Sequence, residues 1–466
     1  MKRAHHATFV VLQDALISRR ALAPVFKLSR SVAHPSGSRF NHNWLKWGNE
    51  FDRCKAVIAQ EAGWFLIGVT IRIALMPFAT HGDLILQAWL ARPIAFFGKW
   101  DPYSFNANYS SALIPGYPPA FLFFQAVFVR LATLLLPDAV AFLNGMDPTQ
   151  PWAGFVYSYA HIHEFLFILK LPYLAFDICT AFLLSLTVDG MRSRYAFRFW
   201  MLNPVAIFAS FVFAQFDIIP TFFVALCIYF CSKRKLTSAA LCLSAGAAFK
   251  LFPLMLLPLL VFGLGRTLAE RTRIVLAGVL PFVIVLLPFV SSKGFVQHVL
   301  FSEMAGRTAA AGINVGQWDV FWIFVAVYTV ITLHCMRSQS TSPTTIWKWF
   351  FAVLLCFYSF ALFHPQWFIW IVPLAGLAYA YNRRTLDYYI ILCICFFVYT
   401  FYWGAALAGQ LFASICPSFF VSLPAPSQII GAVTDPTQFV QLFRSVLTGP
   451  AVWWAFKTLS EKEPIL

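Results

Sequence analysis

Charge is scarce in this chain of 466 residues: Asp, Glu, Lys and Arg together make up 11% of it, against 60% hydrophobic residues. Soluble domains carry about a quarter charged residues, so this scarcity excludes the soluble globular class. Acidic residues are the scarcer sign, 19 against 34 Lys and Arg, for a net charge of +15. The basic residues sit mostly in short connections between apolar runs, which is the pattern of cytoplasmic loops in membrane proteins. No basic stripe is interleaved with solvent-facing aromatics, so nucleic acid is excluded as a partner. There is no Gly-rich phosphate loop, no Ser nucleophile elbow and no Cys pair at zinc spacing. The ten cysteines give no disulfide framework, because Cys179, Cys227, Cys242, Cys356, Cys393 and Cys395 lie inside apolar runs as small hydrophobes. The first sixty residues lack a signal-peptide core, since their one apolar run spans only residues 9–12. Internal repeats, low-complexity tracts and interdomain linkers are missing too.

What is present is a series of apolar runs near the ~20 residues that a membrane-spanning helix needs. The basic segment 1–60 is expected to stay on the cytoplasmic side, either partly disordered or lying on an anionic membrane surface. From there the run 62–78 leads out, and 81–117 forms an outer loop. Within that loop, residues 83–97 place apolar side chains at helical spacing around Gln87 and Arg92, as in an interfacial helix. The cluster Arg192, Arg194 and Arg198 is the next inner marker, so an odd number of crossings separates it from Tyr117. Three runs supply them: 119–136, 152–168 and 171–188. Run 199–231 must enter and return with residues 215–217 near its outer turn, because Lys233, Arg234 and Lys235 are again inside. Run 236–264 is also flanked by cations, yet is too short for two full crossings of a ~30 Å core; it forms a short hairpin with Lys250 near its tip. Further runs at 274–290, 318–336, 347–363, 367–380, 387–406 and 438–456 complete an all-α polytopic membrane protein of about twelve transmembrane or re-entrant helices.

The outer face then collects Asp83, Asp101, Asp217, Lys250, Lys293, Glu303, Arg307, Asp319 and His364. Ionisable groups at the ends of membrane segments are functional candidates by default. For Asp83 the plain alternative is a helix N-cap, and for Lys250 it is snorkelling. A buried ammonium needs an anion, and phosphate is a natural one. His161, His163 and Glu164 are metal-ligand types, but residues two apart on a helix face different ways, so a satisfied buried histidine is the better account. Asn108-Tyr109-Ser110 fits an N-glycosylation acceptor in an outer loop, a signal without meaning in a bacterium.

The order of these features resembles the C superfamily of membrane glycosyltransferases (GT-C), closest to the bacterial enzymes that take mannose from polyprenyl phosphate. The residues that carry the resemblance are His81-Gly82-Asp83, Trp100-Asp101-Pro102-Tyr103, Tyr117-Pro118-Pro119-Ala120-Phe121, Lys170-Leu171-Pro172 with Asp177, Asn203-Pro204, Gln215-Phe216-Asp217, Ala248-Phe249-Lys250-Leu251-Phe252-Pro253 and His364-Pro365-Gln366-Trp367. Each is common alone; together they follow one another over residues 62–380, and nothing after 387 is familiar. The resemblance implies a catalytic module at 61–380 and a variable carboxy-terminal membrane part at 381–466. It implies inverting transfer of a sugar, mannose favoured, from a polyprenyl-phosphate donor to a glycan or lipid acceptor on the non-cytoplasmic face. Asp83 would then be the general base. Lys250, Arg307 and His364 would hold the leaving phosphate, and Asp101, Tyr117, Gln215, Asp217 and Trp367 would contact substrate. The loop has a single acid at Asp83 without the second one found in some branches, which leaves a divalent metal open and no cofactor assigned.

Two rivals have features of their own. A lipid-linked sugar flippase or transporter also has broken helices and midplane charges, but no repeat of hydropathy relates the two halves. An envelope polymerase or ligase carries its large outer loop late in the chain, whereas the richest loop here is the first. The membrane is either a bacterial cytoplasmic membrane or the endoplasmic reticulum.

Overall fold

Pairs of helices tied by buried charges set the layout of the chain. The computed structural model describes residues 42–150, 153–302, 311–317, 319–338 and 341–461. Residues 1–41, most of the basic segment 1–60, lie outside the described residues, as do Glu303 and Arg307. The chain divides into two units, Met1–Asn49 and Glu50–Leu466, and the elements below belong to the second.

The helix Glu50–Leu75 is long and apolar enough to cross a membrane, as are Ile162–Thr187, Leu268–Phe289 and Arg383–Leu407. A fifth candidate is the pair Met191–Met201 and Pro204–Val212, bent by 42°. Shorter apolar helices include Pro119–Leu135, Ile218–Ser232, Leu236–Ala247, Ile323–Arg337 and Ile346–Phe360. The one strand pairing among the described residues is a small antiparallel hairpin, Gly312–Asn314 against Val320–Trp322. The chain is an all-α, multi-pass membrane protein.

Two helices fix the relative directions of the segments. Arg53, near the start of Glu50–Leu75, donates to Val188 O (3.2 Å) and Asp189 Oδ1 (2.9 Å), just past the end of Ile162–Thr187. At the opposite level His163 Nδ1 lies 3.0 Å from Pro77 O. The two helices are therefore antiparallel. The arginine cluster shares the inner level, where Arg194 and Arg198 both bind the buried carboxylate of Glu61. Glu61 sits where the first helix leaves helical geometry (φ −118°, ψ 19°), so the kink coincides with the pull of two guanidinium groups on one side.

Ile162–Thr187 is one continuous helix of 26 residues, which corrects the two runs at 152–168 and 171–188. Pro172 lies inside it without ending it, and His161, His163 and Glu164 mark its first turn. Pro119–Leu135 is not a crossing between those levels either. It starts at the outer site described below, and the turn after it returns to the outer end of Ile162–Thr187, where Tyr159 OH donates to Asp138 Oδ1 (2.9 Å) and the Phe142 ring stacks on Tyr159 at 4.2 Å. One crossing thus takes the place of three, and the odd parity demanded by the charges is kept.

The first outer loop does contain a helix at Gly82–Phe97. Its Leu84, Ile85, Ala88, Trp89, Leu90 and Ala91 are all buried, so it packs within the outer layer against Pro119–Leu135. Its N-cap is His81, whose side chain accepts from Asp83 N, so the capping role considered for Asp83 falls to its neighbour.

The deepest polar contact is Arg72 with Asp177, both without exposed side-chain surface and 2.6 Å apart. Arg72 Nη1 also donates to Met201 O (2.7 Å) and Gly68 O (3.0 Å). A Cβ on Gly68 would meet Met201 O at 2.8 Å, so the close approach of these helices requires glycine there. Asp177→Ala strands a buried cation, which typically costs about 3–5 kcal/mol; Gly68→Ala overpacks and costs about 1–3 kcal/mol. Both variants are expected to unfold at clearly lower temperature than wild type in detergent. A wild-type melting curve for Asp177→Ala would show that the pair does not hold the fold.

Candidate functional site

On the outer side, the ends of several broken helices enclose a cavity of about 530 Å³. Each wall follows from a local feature of the chain. The first wall comes from Gly82–Phe97 and the segment 213–217. The backbone passes from the π-helical turn Phe208–Val212 into Ala214, which has φ 61°, a left-handed conformation costly for a residue with a side chain. Gln215 N then donates back to Ala209 O (2.9 Å), and the Gln215 side chain swings toward Asp83. The result is a row of polar groups. Gln215 Nε2 donates to Asp83 Oδ2 (3.1 Å), and Gln87 Nε2 donates to Gln215 Oε1 (3.1 Å) and to Tyr117 OH (3.3 Å). Tyr117 is held from behind by Tyr103 OH, which donates to its carbonyl at 2.7 Å.

The opposite wall is aromatic. Pro365–Ile371 is a 3₁₀ helix, and with three residues per turn its side chains at i and i+3 eclipse. Trp367 and Trp370 therefore stack, 5.1 Å apart with planes at 14°. Phe252 continues the stack on Trp370 at 3.9 Å and 6°. His364 extends it the other way, 5.3 Å from Trp367 and 4.4 Å from Trp403.

The floor is an ion pair. Leu236–Ala247 ends short of Lys250, whose Nζ lies 2.7 Å from Asp217 Oδ1, and Trp370 Nε1 donates to the same oxygen at 2.8 Å. The ammonium also faces the rings of Phe216 (5.3 Å), Trp367 (5.2 Å) and Trp370 (5.5 Å), each an attractive cation–π arrangement. Asp217 Oδ2, by contrast, is buried without a partner among the described residues.

Of the residues singled out from the sequence, Asp83, Tyr117, Lys250, His364 and Trp367 line the cavity, and Gln215 and Asp217 are hydrogen-bonded to its lining. Asp101 is not at the cavity: it caps the helix Pro102–Ala107, accepting from Tyr103 N (3.0 Å) and Ser104 N (3.1 Å). Arg307 lies outside the described residues. Sequence reasoning missed His81, Gln87, Trp370 and Trp403. The three-residue spacing of His364, Trp367 and Trp370 was the signal for Trp370, legible only if a 3₁₀ helix is assumed. Among the described residues no three His, Cys, Asp or Glu side chains converge to hold a metal.

Burial raises the pKa of Asp83, but the His81 ring, the nearby His364 and the Gln215 amide outweigh it and hold the carboxyl below the usual aspartate range. His81 Nδ1 is 3.3 Å from Asp83 Oδ1 and 3.2 Å from Asp83 N. A neutral ring accepts from the backbone through this atom, whereas a protonated one donates to the carboxylate. A carboxylate and amide row facing stacked indoles suits a ring-shaped polyhydroxy ligand, with its C–H face on the aromatics and its hydroxyls donating to Asp83.

Fold and site together define an all-α, multi-pass membrane protein with a polar and aromatic cavity at the end away from Arg194 and Arg198. Residues 119–401, more than half of the chain, match the family described as GPI transamidase subunit PIG-U, and the chain belongs to that family. No curated protein matches it.

Family membership corrects the functional expectation. The likeness to GT-C mannosyltransferases does not extend to activity: the chain is a member of a transamidase-subunit family, not a hexosyltransferase. The polyprenyl-phosphate sugar donor, its glycan or lipid acceptor, and the flippase and polymerase alternatives are set aside with it. The roles of Asp83 as a base and of Lys250, Arg307 and His364 as donor-phosphate ligands belonged to that reaction. The physical reason for the misassignment lies in the motifs. Tyr-Pro-Pro and His-Pro-Gln-Trp shape helix breaks at the cavity, Asn-Pro shapes the bend between Met191–Met201 and Pro204–Val212, and a cavity built on such breaks serves binding as readily as transfer.

The lowered pKa has a measurable consequence. Since folding depresses it, ionised Asp83 stabilises the fold above the usual aspartate range, and that contribution disappears as pH falls through the lowered value. Asp83→Asn should therefore melt below wild type at pH 7, with the gap closing as pH falls below about 4. A gap that stays constant from pH 7 to pH 3 would contradict the assignment.

Proposed function

We propose that this chain acts in the endoplasmic reticulum membrane as a subunit of a GPI transamidase, and that its outer, lumenal pocket binds carbohydrate of the GPI anchor. Family membership supports the first part. The enzyme its family is named for joins proteins to GPI anchors, so other transamidase subunits and the proteins to be anchored are the partners. A bacterial membrane has no support beside this family.

The observation that carries the second part is the Asp83–Gln215–Gln87–Tyr117 row facing the Trp367–Trp370 stack across one cavity. In this reading a sugar ring lies on Trp367, with Asp83, Gln215 and Tyr117 taking its hydroxyls. Lys250 and Asp217 form the floor, His364 stands at the edge, and Asp101 acts at a distance through the loop that supports Tyr117. In this reading the four long spans, the bent pair and the shorter apolar helices belong to a bundle of about twelve transmembrane or re-entrant segments. The helix at 82–97 lies at the outer interface, residues 1–60 form a cytoplasmic segment, 61–380 carry most of the pocket and 381–466 are the variable carboxy-terminal membrane part.

The test is complementation of cells lacking their own subunit, read as surface display of a GPI-anchored reporter. A hydrogen bond to a charged group contributes about 1.5–3 kcal/mol, so Asp83→Asn should weaken anchor binding by roughly 10- to 100-fold. Trp367→Ala should also lower display, and both variants should still co-purify with the other subunits. Full display from both would refute the pocket as the anchor site.

A further inference from the structure

Asn108-Tyr109-Ser110 is the single Asn-X-Ser/Thr sequence with X other than Pro in all 466 residues, and the structure sets it in an accessible position. Asn108 is the C-cap of the helix Pro102–Ala107; its backbone N–H returns to Phe105 O, while its side chain is exposed and makes no hydrogen bond among the described residues. Its neighbours are tied down. The Tyr109 ring meets Trp89 edge-on at 5.6 Å and carries the Arg92 guanidinium at 4.8 Å. Ser110 Oγ accepts from Ala112 N at 3.2 Å. The loop is on the pocket side of the molecule, since Tyr103 OH binds Tyr117 O, and so opposite Arg192, Arg194 and Arg198.

We propose that Asn108 is N-glycosylated, an inference that rests on the placement of this side in the lumen of the endoplasmic reticulum. The donor is a lipid-diphosphate oligosaccharide supplied by the host membrane. Asn108 Nδ2 attacks C1 of its first sugar, so the N–C1 bond forms and the bond from C1 to the diphosphate oxygen breaks. The amide loses one proton to a base of the transferring enzyme, and the lipid diphosphate leaves with the electron pair. Neither Asn108 nor Ser110 lines the pocket, so the modification is separable from ligand binding.

The experiment is expression of the full chain in eukaryotic cells, with and without peptide N-glycosidase. Wild type should run slower by one glycan and shift on digestion. Asn108→Gln and Ser110→Ala should abolish the shift, Ser110→Thr should keep it, and all three should display the reporter as wild type does. Ala432→Asn, at an exposed position, completes an Asn-Val-Thr sequence in the segment between Arg383–Leu407 and Pro436–Ser460, which Ser414 Oγ ties to Phe78 O on the pocket side, and serves as a control for sidedness. Wild type without a glycan, beside a glycosylated Ala432→Asn, overturns the assignment of Asn108 and leaves the lumenal placement standing. Failure of both overturns the inference together with that placement.

Discussion

The site hangs on one ammonium group. Lys170, in the middle of Ile162–Thr187 and without exposed surface, donates to the carbonyls of Met76 (2.8 Å), Ala79 and Phe211 (3.2 Å). The last carbonyls of a helix have no partner inside it, and hydrocarbon offers none. A lysine from a neighbouring helix satisfies three such groups at once and places a cation where a helix dipole favours it. Asp83 follows four residues after Ala79, and Gln215 four after Phe211. The two stretches of chain whose side chains join in the polar wall of the cavity are thus fastened to a single point near it.

A second tie of the same kind lies nearer the inner side. Arg72 neutralises Asp177 and reaches Met201 O, while Glu61 gathers Arg194 and Arg198. All three clusters join the first helix to the segments around 170–211, and each cluster satisfies backbone or charge that lipid would leave bare. The segments they position need not be regular, and they are not. A π-helical turn, a left-handed Ala214, a 3₁₀ helix at Pro365–Ile371 and the break at Lys250 all meet at the cavity. Irregular backbone at membrane depth is tolerated only where protein or water surrounds it, so the pocket and the broken helices require each other.

Composition made the membrane class legible, because it follows from solvation alone. The runs at 152–168 and 171–188 went astray for a local reason: three polar residues near His161 look like an end between two helices, whereas they are the exposed first turn of one. Gln215, Asp217, Lys250 and Trp367 were legible because polar and aromatic residues at breaks in apolar runs must face something other than lipid. His81, Gln87 and Trp403 were not, since nothing in a single sequence says which surfaces of neighbouring helices meet. The activity was misjudged because motif order reports the shape of the scaffold, not whether a reaction occurs on it.

The charges of the cavity argue for a binding role over release of a phosphate. Lys250 is already neutralised by Asp217 and boxed by Phe216, Trp367 and Trp370, so its ammonium has no unmet demand for an anion. Asp83 then adds a second carboxylate. The Asp, Glu, Lys and Arg side chains among the described residues at the cavity are then two acids and one lysine. A phosphate entering beside them meets repulsion at short range in a medium that screens charge poorly. A neutral sugar meets acceptors for its hydroxyls and flat indoles for its C–H face. The arrangement of acids and indoles therefore suits a neutral polyhydroxy ring better than a phosphate, which ties the polar row and the aromatic stack to one kind of ligand.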